Sequence, residues 1–366
     1  MAAPPSTDPI AAARRVLAGA RERRTFPAAV AEVGDGQVVL WREAFGALSF
    51  DERSPSTDEA TIFDLASLTK PVATTTIIIQ LVADGRLRLS DKLAAFFVEW
   101  RGAGREDVTV QDVLEHASGL AARLVDAPPE TRREFEHEIC TMPLEYAART
   151  QSVYSDLGFI LLAFLASDRH ALPLRDQFDR ILERVLAPVG GSGRELGLTF
   201  GVPPRRRDTT APTIPLDDDL RRGRMLTGEV HDSYAALLGG VAGHSGLFGN
   251  AESIGRFARA VLRAARNDAA IPAPLSTFWV SHMTRRSTVP GSSRALGWDT
   301  MLPTSSCGTA MSPAAFGHTG FTGTSLWIDP VRERYFVLLT NRACGGGTPD
   351  EMRLVRRAFH DALARL

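Results

Sequence analysis

The segment around Ser67 constrains this chain more than any other. Residues 63–71 read FDLASLTKP, so a serine and a lysine stand three positions apart, directly before the longest apolar run, Val72–Val82. The β-branched residues of this run favour a strand by propensity. The run nevertheless exceeds the usual strand length, and Asp84 and Gly85 supply a typical helix stop. We therefore predict a buried central helix with Ser67 at its N-terminal end, where the helix dipole favours developing negative charge.

The spacing of Ser67 and Lys70 suits proton transfer between them. On a helix the two side chains share one face, and an amine held there can take the proton of a hydroxyl that is otherwise a weak nucleophile. Lys70 and Lys92 are the only lysines among the 42 Lys and Arg residues. Arginine does not deprotonate in proteins, whereas the pKa of a buried lysine shifts readily. Lysine at position 70 therefore favours a catalytic pair, although Ser-x-x-Lys also arises by chance.

Composition limits the classes of partner. The chain has 366 residues, of which 44% are hydrophobic and 23% charged, with a net charge of −1. These values are typical of a globular protein, and they give no reason to expect nucleic acid or an anionic membrane surface as a partner. The three cysteines form no Cys-x-x-Cys site and the eight histidines no ligand pair at helical spacing. We therefore expect free thiols, no metal and no cofactor.

The N-terminal residues bear on location. Residues 1–25 contain arginines but no apolar stretch long enough for the core of a secretory signal. No apolar run reaches the length that a membrane-spanning helix needs. The sequence thus predicts a cytoplasmic protein that does not insert into membranes.

The remaining pattern predicts helices in the middle of the chain and strands at both ends. A helix over Ile10–Arg24 precedes a hairpin over Pro27–Trp41, and no linker divides the chain. The further predictions are helices over Val108–His116, Pro143–Arg149, a segment ending at Ala166, Pro173–Leu186, Ala251–Arg266 and Met352–Leu366, and strands over Ala295–Trp298, Phe316–Thr319, Thr324–Ile328 and Tyr335–Asn341. Residues 197–224, rich in Pro, Arg and Asp, are predicted to form a long ordered excursion.

Two further motifs extend the Ser67 segment. Tyr154-Ser155-Asp156 precedes a predicted helix, and His318-Thr319-Gly320 lies on a predicted strand. Together with Ser67-Leu68-Thr69-Lys70, in this order, they resemble the serine β-lactamase and penicillin-binding superfamily, and more closely its class C, D-alanyl-D-alanine peptidase and esterase branch. Residues 115–120, 243–248 and 326–330 also look like that branch, so the similarity covers roughly Phe26–Arg342.

The resemblance implies an α+β fold of the β-lactamase/DD-peptidase type. An antiparallel sheet built from both chain ends would be flanked by helices, with a helical region inserted between. The whole chain, 1–366, would form a single unit with a sheet lobe of residues 1–108 and 285–366 and a helical lobe of residues 109–284.

The resemblance also implies an acyl-enzyme mechanism. Ser67 would attack a carbonyl carbon, while Lys70 and Tyr154 would share the proton transfers, with Tyr154 near a cation favoured as the tyrosinate. Which of the two is the base stays open. The N–H groups of Ser67 and Phe321 would form the oxyanion hole. The remaining substrate-facing residues would be His318, Thr319, Gly320 and Asp156.

Two departures from the family pattern carry information about the substrate. His318 stands where lactamases have lysine, which removes a fixed positive charge, because an unperturbed histidine is mostly neutral at pH 7. This predicts weak penicillin and cephalosporin hydrolysis and better turnover of uncharged esters or amides. Asp156 stands where class C enzymes have asparagine. Its carboxylate would pair with a substrate amine or, alternatively, turn away and cap the following helix.

The function predicted from the sequence is therefore that of an esterase-like serine hydrolase acting on a small ester, amide or peptide through a Ser67 acyl-enzyme. The alternatives are a β-lactamase, a D-alanyl or muropeptide peptidase or an amidase, and a catalytically silent relative used for binding.

Overall fold

The computed structural model describes residues 8–102, 104–124, 129–190 and 197–366. The strands are β1 Ala28–Gly34, β2 Val39–Gly46, β3 Phe63–Asp64, β4 Thr199–Phe200, β5 Leu247–Gly249, β6 Asp299–Thr300, β7 Phe316–Thr319, β8 Ser325–Asp329 and β9 Arg334–Thr340. The α-helices are α1 Pro9–Glu22, α2 Thr76–Ala83, α3 Val110–Leu114, α4 Arg132–Thr141, α5 Asp156–His170, α6 Leu174–Leu186, α7 Ser233–Leu237, α8 Ala251–Ala265, α9 Thr277–Met283 and α10 Pro349–Leu363.

A six-stranded antiparallel sheet joins the two ends of the chain. Its strand order is β2-β1-β9-β8-β7-β6, and β1 pairs with β9 so that Val30 faces Leu339. The hairpin near the N-terminus and the β-rich C-terminal region thus complete one sheet. This confirms the fold class implied by the resemblance. A second, smaller sheet has the order β3-β5-β4 and lies next to Ser67.

Period-two alternation in the central strands places apolar side chains on both faces of the large sheet. Ala29 and Leu338 point to the side covered by α1 and α10. Val30 and Leu339 point to the other side, against α8. The hydrophobic core on the α8 side of the sheet continues without interruption into α2, α5 and α6. The boundaries between the two lobes remain predictions.

The predicted central helix is present but irregular at its start. A 3₁₀ turn, Ala66–Leu68, holds Ser67, a π-helical segment follows over Lys70–Thr75, and regular α-helix begins at Thr76. Single-turn π segments are rare in proteins, but those that occur often lie at functional sites. The stretch Ala66–Ala83 is long and apolar enough to cross a membrane, but 83% of it is buried inside the protein.

Two predicted elements are wrong. Pro143–Arg149 is not a helix, because its backbone N–H groups bond to a neighbouring loop: Glu145 donates to the carbonyl of Gly119 at 2.8 Å and Arg149 to that of Ala117 at 2.8 Å. Residues 295–298 are not a strand but a tight turn that precedes β6. In both cases contacts made by the tertiary structure override the local pattern.

Candidate active site

Ser67 lies on a strained turn directly after β3. The preceding residue, Ala66, has φ 47°, a left-handed conformation that is uncommon and costly for a residue other than glycine. The buried carboxylate of Asp64 holds this turn, because its Oδ1 accepts the N–H of Ala66 at 2.8 Å and its Oδ2 accepts the N–H of His231 at 2.7 Å. Burial raises the pKa of Asp64 to about 6. The serine is therefore presented by the turn and not by a regular helix.

Lys70 is fully buried behind Ser67 with all three of its protons directed at acceptors. Its Nζ donates to Ser67 Oγ at 3.0 Å, to Asp156 Oδ1 at 2.7 Å and to the carbonyl of His244 at 3.2 Å. Burial disfavours the charged amine, but the Asp156 carboxylate and the hydroxyl of Tyr154 outweigh it and hold the pKa of Lys70 above its ordinary value. The ammonium form therefore dominates near neutral pH.

Tyr154 is a half-buried neutral phenol beside the same two groups. Its hydroxyl lies next to Ser67 and Lys70, and Lys70 Nζ is 4.7 Å from the centre of its ring. The ring of His116 packs on its other side, with centroids 4.6 Å apart. Burial raises the pKa of Tyr154 although the nearby Lys70 charge opposes this. The predicted tyrosinate is thus wrong, because desolvation of the phenolate outweighs the attraction of one cation.

Asp156 is part of a partly buried ionic network. Its Oδ2 accepts from Arg123 Nη1 at 3.0 Å, and the same nitrogen donates to Asp232 Oδ2 at 2.8 Å. Asp232 Oδ1 in turn lies 2.7 Å from His244 Nε2. Despite burial, the cations beside Asp156 and the His244 and Arg123 groups beside Asp232 lower the pKa of both carboxyls. Both carboxylates stay ionised as partners of protein cations.

The predicted cap is wrong: the carboxylate of Asp156 does not cap α5, because Ser155 is the N-cap residue and its Oγ accepts the N–H of Gly158. Both carboxylate oxygens of Asp156 already accept from protein cations, so a substrate amine would compete with Lys70 and Arg123, and this pairing stays a prediction. One atom each of Asp156, Asp232 and His244 lies within 4.8 Å of the others, a spacing that could hold a metal ion. The positive charges of Lys70 and Arg123 already balance these carboxylates, so the geometry assigns them to protein cations.

The third motif forms the opposite wall. His318 is buried on β7, its Nδ1 lies 2.8 Å from the carbonyl of Thr319, and its Nε2 has no hydrogen-bond partner among the described residues. Burial, with the charges of Arg294 and Lys70, lowers the pKa of His318 well below its ordinary value. The imidazole is therefore neutral. A side chain at Gly320 would overlap Thr324 and the carbonyl of Leu65, so the loop after β7 needs glycine there to approach Ser67.

One cavity of about 280 Å³ collects these groups. The residues that line it are Ser67, Tyr154, Arg294, Asp299, His318, Thr319, Gly320, Phe321, Arg342, Pro349, Met352 and Arg356. Six of the eight predicted site residues thus line one cavity, while Lys70 and Asp156 lie behind Ser67. Their chemical roles remain predictions.

Arg294 places in the cavity a positive charge that the sequence analysis did not predict. Its guanidinium lies 5.1 Å from the centre of the Tyr154 ring. Within the part of the chain that the structure describes, it forms no hydrogen bond or ion pair, although Asp299 lines the same cavity. A half-buried, unpaired guanidinium in a cleft is a favourable partner for a carboxylate, which it can bind through two parallel hydrogen bonds.

Sequence reasoning missed Arg123, Asp232, His244 and Arg294. His244 lies in a stretch that was singled out, residues 243–248, but nothing in that stretch indicated its partner Asp232. The two arginines carry no signal that separates them from the other arginines of the chain. Only folding brings these side chains to Lys70 and Tyr154.

Comparison with known proteins agrees with this geometry. A family model described as Beta-lactamase matches residues 13–359. The chain therefore belongs to the β-lactamase family and is a serine hydrolase. It is 30% identical over 321 residues to a Salmonella gallinarum protein named "Putative D-alanyl-D-alanine carboxypeptidase", a match that covers 77% of this chain and 69% of that protein.

Two further proteins illustrate the range of this family. An N-acetylmuramyl-L-alanine amidase of Bacillus subtilis is 29% identical over 351 residues, which are 87% of this chain and 77% of the amidase. A class C β-lactamase of Rhodobacter sphaeroides has the same fold, with a TM-score of 0.72 and 17% identity over 97% of this chain and 99% of that one.

Proposed function

We propose that the protein hydrolyses a small amide or peptide that carries a carboxylate beside the scissile bond, through an acyl-enzyme on Ser67. The observation that carries this proposal is the unpaired guanidinium of Arg294 in the cavity that Ser67 lines. The preference for uncharged substrates predicted from His318 stays a prediction, and the charge of Arg294 argues in the opposite direction. The carboxypeptidase name of the Salmonella relative supports the same substrate class.

The chemistry assigns one step to each group. Ser67 Oγ attacks the carbonyl carbon, and its proton passes to the free-amine form of Lys70. The N–H groups of Ser67 and Phe321 stabilise the tetrahedral oxyanion. The departing amine takes a proton from Lys70 or Tyr154, and water then hydrolyses the acyl-enzyme. Because the pKa of Lys70 is raised, the reactive free amine is the minor form near neutral pH.

An esterase is the second candidate. His318 is neutral, so the wall of the cavity formed by β7 carries no fixed charge. Phe321 is 46% exposed and offers an apolar surface to an acyl chain. An ester that lacks a carboxylate would use these surfaces and would gain nothing from Arg294.

A matched pair of substrates tests the proposal. We would compare a diacylated Lys-D-Ala-D-Ala peptide with its C-terminal amide, alongside p-nitrophenyl butyrate and nitrocefin, on the wild type, Ser67→Ala and Arg294→Gln. We expect the wild type to prefer the free acid. The Arg294→Gln substitution should reduce kcat/KM for the acid about 10- to 100-fold, as the loss of a charge-assisted hydrogen bond of about 1.5–3 kcal/mol predicts. Nitrocefin, which also carries a carboxylate, should follow the acid.

The control variant is Arg285→Gln, which removes an exposed arginine outside the cavity and should change neither substrate. Equal turnover of acid and amide would reject a carboxylate subsite. Turnover of p-nitrophenyl butyrate alone, lost in Ser67→Ala and unchanged in Arg294→Gln, would establish the esterase instead.

The cellular setting also belongs to the proposal. We propose a cytoplasmic enzyme with a small-molecule substrate and without a nucleic-acid or membrane partner. Fractionation of cells that express the tagged chain would test the location, and recovery in the membrane or periplasmic fraction would contradict it.

A further inference from the structure

Two buried arginines lie directly behind the loop that follows β7. Arg356 of α10 is 8% exposed and Arg342, in the 3₁₀ turn after β9, is 7% exposed. Neither forms an ion pair with a carboxylate of residues 8–102, 104–124, 129–190 or 197–366. Burial, reinforced by Arg342, lowers the pKa of Arg356 to about 9. Buried charges are normally paired, so two adjacent unpaired cations require another explanation.

Both arginines bind backbone carbonyls of the loop that contains Phe321. Arg356 Nη2 donates to the carbonyl of Gly320 at 2.6 Å and to that of Thr324 at 3.0 Å. Arg342 donates to the carbonyl of Phe321 from Nε at 3.0 Å and from Nη2 at 2.6 Å. Hydrogen bonds from charged donors are roughly twice as strong as neutral ones. The two peptide units on either side of Phe321 are therefore held in fixed orientations.

The planarity of the peptide bond makes the first of these contacts decisive. The carbonyl of Gly320 and the N–H of Phe321 belong to one trans peptide unit and point in opposite directions. A donor that fixes the carbonyl therefore also fixes the direction of the N–H. Further hydrogen bonds hold this loop in place, because the N–H of Gly320 donates to the carbonyl of Thr324 at 2.9 Å and Thr322 Oγ1 donates to the carbonyl of Asp64 at 2.7 Å.

We propose that Arg356, assisted by Arg342, is the positioning residue of the oxyanion hole, because it aims the N–H of Phe321 at the oxygen of a carbonyl bound at Ser67. Both arginines also line the cavity that contains Ser67. A preorganised donor of this kind acts on the transition state and not on the bound substrate. The inference rests on the acyl-serine mechanism proposed above, but not on the carboxylate-bearing substrate.

Three variants of one helix test the proposal. Arg356→Met replaces the guanidinium with an unbranched side chain that has no hydrogen-bond donor. Arg356→Lys keeps one charged donor group. Arg353→Met changes an exposed arginine of the same helix and is the control. For whichever ester or amide the wild type turns over, we expect Arg356→Met to lower kcat about 100-fold, as the loss of one oxyanion donor does. KM should change less than threefold, Arg356→Lys should recover part of the loss, and Arg353→Met should match the wild type.

Two readouts separate this role from a purely structural one. The rate at which a fluorophosphonate labels Ser67, and the affinity for a tetrahedral boronic acid, should fall in parallel with kcat. If Arg356→Met does not fold, Arg356→Lys must still show the same split between kcat and KM. Unchanged kcat and labelling, or a loss confined to KM, would overturn the proposal.

Failure of the proposed substrate class gives a different result. A wild type that is labelled but does not hydrolyse the carboxylate-bearing peptide would reject that class, while the labelling rates still decide the role of Arg356. A wild type that is not labelled at all would overturn the acyl-serine mechanism and, with it, this inference.

Discussion

At the position of Lys70, the carboxylate of Asp156 decides how much free amine is present. Their contact of 2.7 Å raises the pKa of Lys70, whereas burial alone would lower it. An asparagine at 156 would keep the shape of the side chain and remove the charge. The residue that departs from the family pattern thus sets the proton affinity of the amine beside Ser67.

This argument predicts the pH dependence of Asp156→Asn. Without the carboxylate, burial is the main influence on Lys70, so its pKa falls and the free amine persists to lower pH. The acid limb of the kcat/KM profile should move to lower pH by about one unit or more. The measurement is a pH–rate profile between about pH 6 and 11 with an uncharged ester, a range that reaches past the ordinary lysine pKa of about 10.4.

Two results would contradict it. An acid limb that stays in place would show that Lys70 is not the titrating base, and a loss of activity at every pH would show that Asp156 itself handles a proton. Lys92→Gln is the control, because Lys92 pairs with Asp107 on the surface and should leave the profile unchanged.

At the scale of elements, the site depends on how closely the loop before β5 packs on α5. This loop brings the carbonyl of His244 to Lys70, and Thr74 Oγ1 in the π segment donates to the carbonyl of Gly243 at 2.6 Å. A Cβ atom at Gly243 would overlap the carbonyl oxygen of Phe159 in α5. Glycine at 243 is therefore required by the close approach of two backbones and not by a turn.

We accordingly expect Gly243→Ala to be destabilising. Overpacking of a close-packed interior costs about 1–3 kcal/mol and occasionally more, because helix α5 cannot yield without moving Asp156. The free energy of unfolding should fall by about this amount in denaturant titration, and kcat should fall as His244 moves away from Lys70. Gly36→Ala, where a Cβ meets only the flexible side chain of Arg263 at 3.4 Å, should be close to neutral. Equal stability of the two variants would contradict the packing argument.

For the whole molecule, buried titratable groups link stability to pH. The neutral imidazole of His360 lies between the large sheet and α10, and its Nε2 is 2.8 Å from Ser325 Oγ. Burial, with the charge of Arg356, lowers the pKa of His360 to about 3. Below its ordinary pKa of about 6.5, the unfolded chain binds a proton here that the folded protein does not. This group therefore reduces stability progressively as the pH falls from about 6.5 to about 3.

The variant His360→Phe removes this linkage. Between about pH 6 and 4, which lies between the ordinary and the folded pKa of His360, the free energy of unfolding should decline less steeply than in the wild type, by about 1.4 kcal/mol per pH unit. His116 and His318 contribute with the same sign, and Asp64 and Glu32, whose pKa values burial raises, with the opposite sign. The difference between variant and wild type isolates His360. An identical slope would disprove the linkage, and His137→Phe, at an exposed position, is the control.

Local pattern was enough to predict most helices and strands and the pair of Ser67 and Lys70. The apolar run after Ser67, the glycine-flanked hairpin and the alternating C-terminal strands each depend on the order of residues along the chain, so their periodicity predicted the elements. Ser67 and Lys70 were found from their spacing of three positions, whereas Tyr154 and Asp156 were identified through the resemblance to a known family. Local pattern gave wrong predictions for short segments such as residues 143–149, because their hydrogen bonds are made with another part of the chain.

Only the tertiary structure determines the pKa values in the site and the contacts between its charged groups. The sequence placed a lysine beside a serine, but the pKa of that lysine depends on Asp156, 86 positions away, and on the burial of the whole site. Arg294 lines the same cavity as the third motif, and Arg342 and Arg356 bind the carbonyls around Phe321, and no local pattern distinguishes these three arginines. Coulombic and hydrogen-bond energies depend on distance and desolvation. The sequence determines which ionisable groups are present. Only the packed fold determines which of them come into contact and how deeply each is buried.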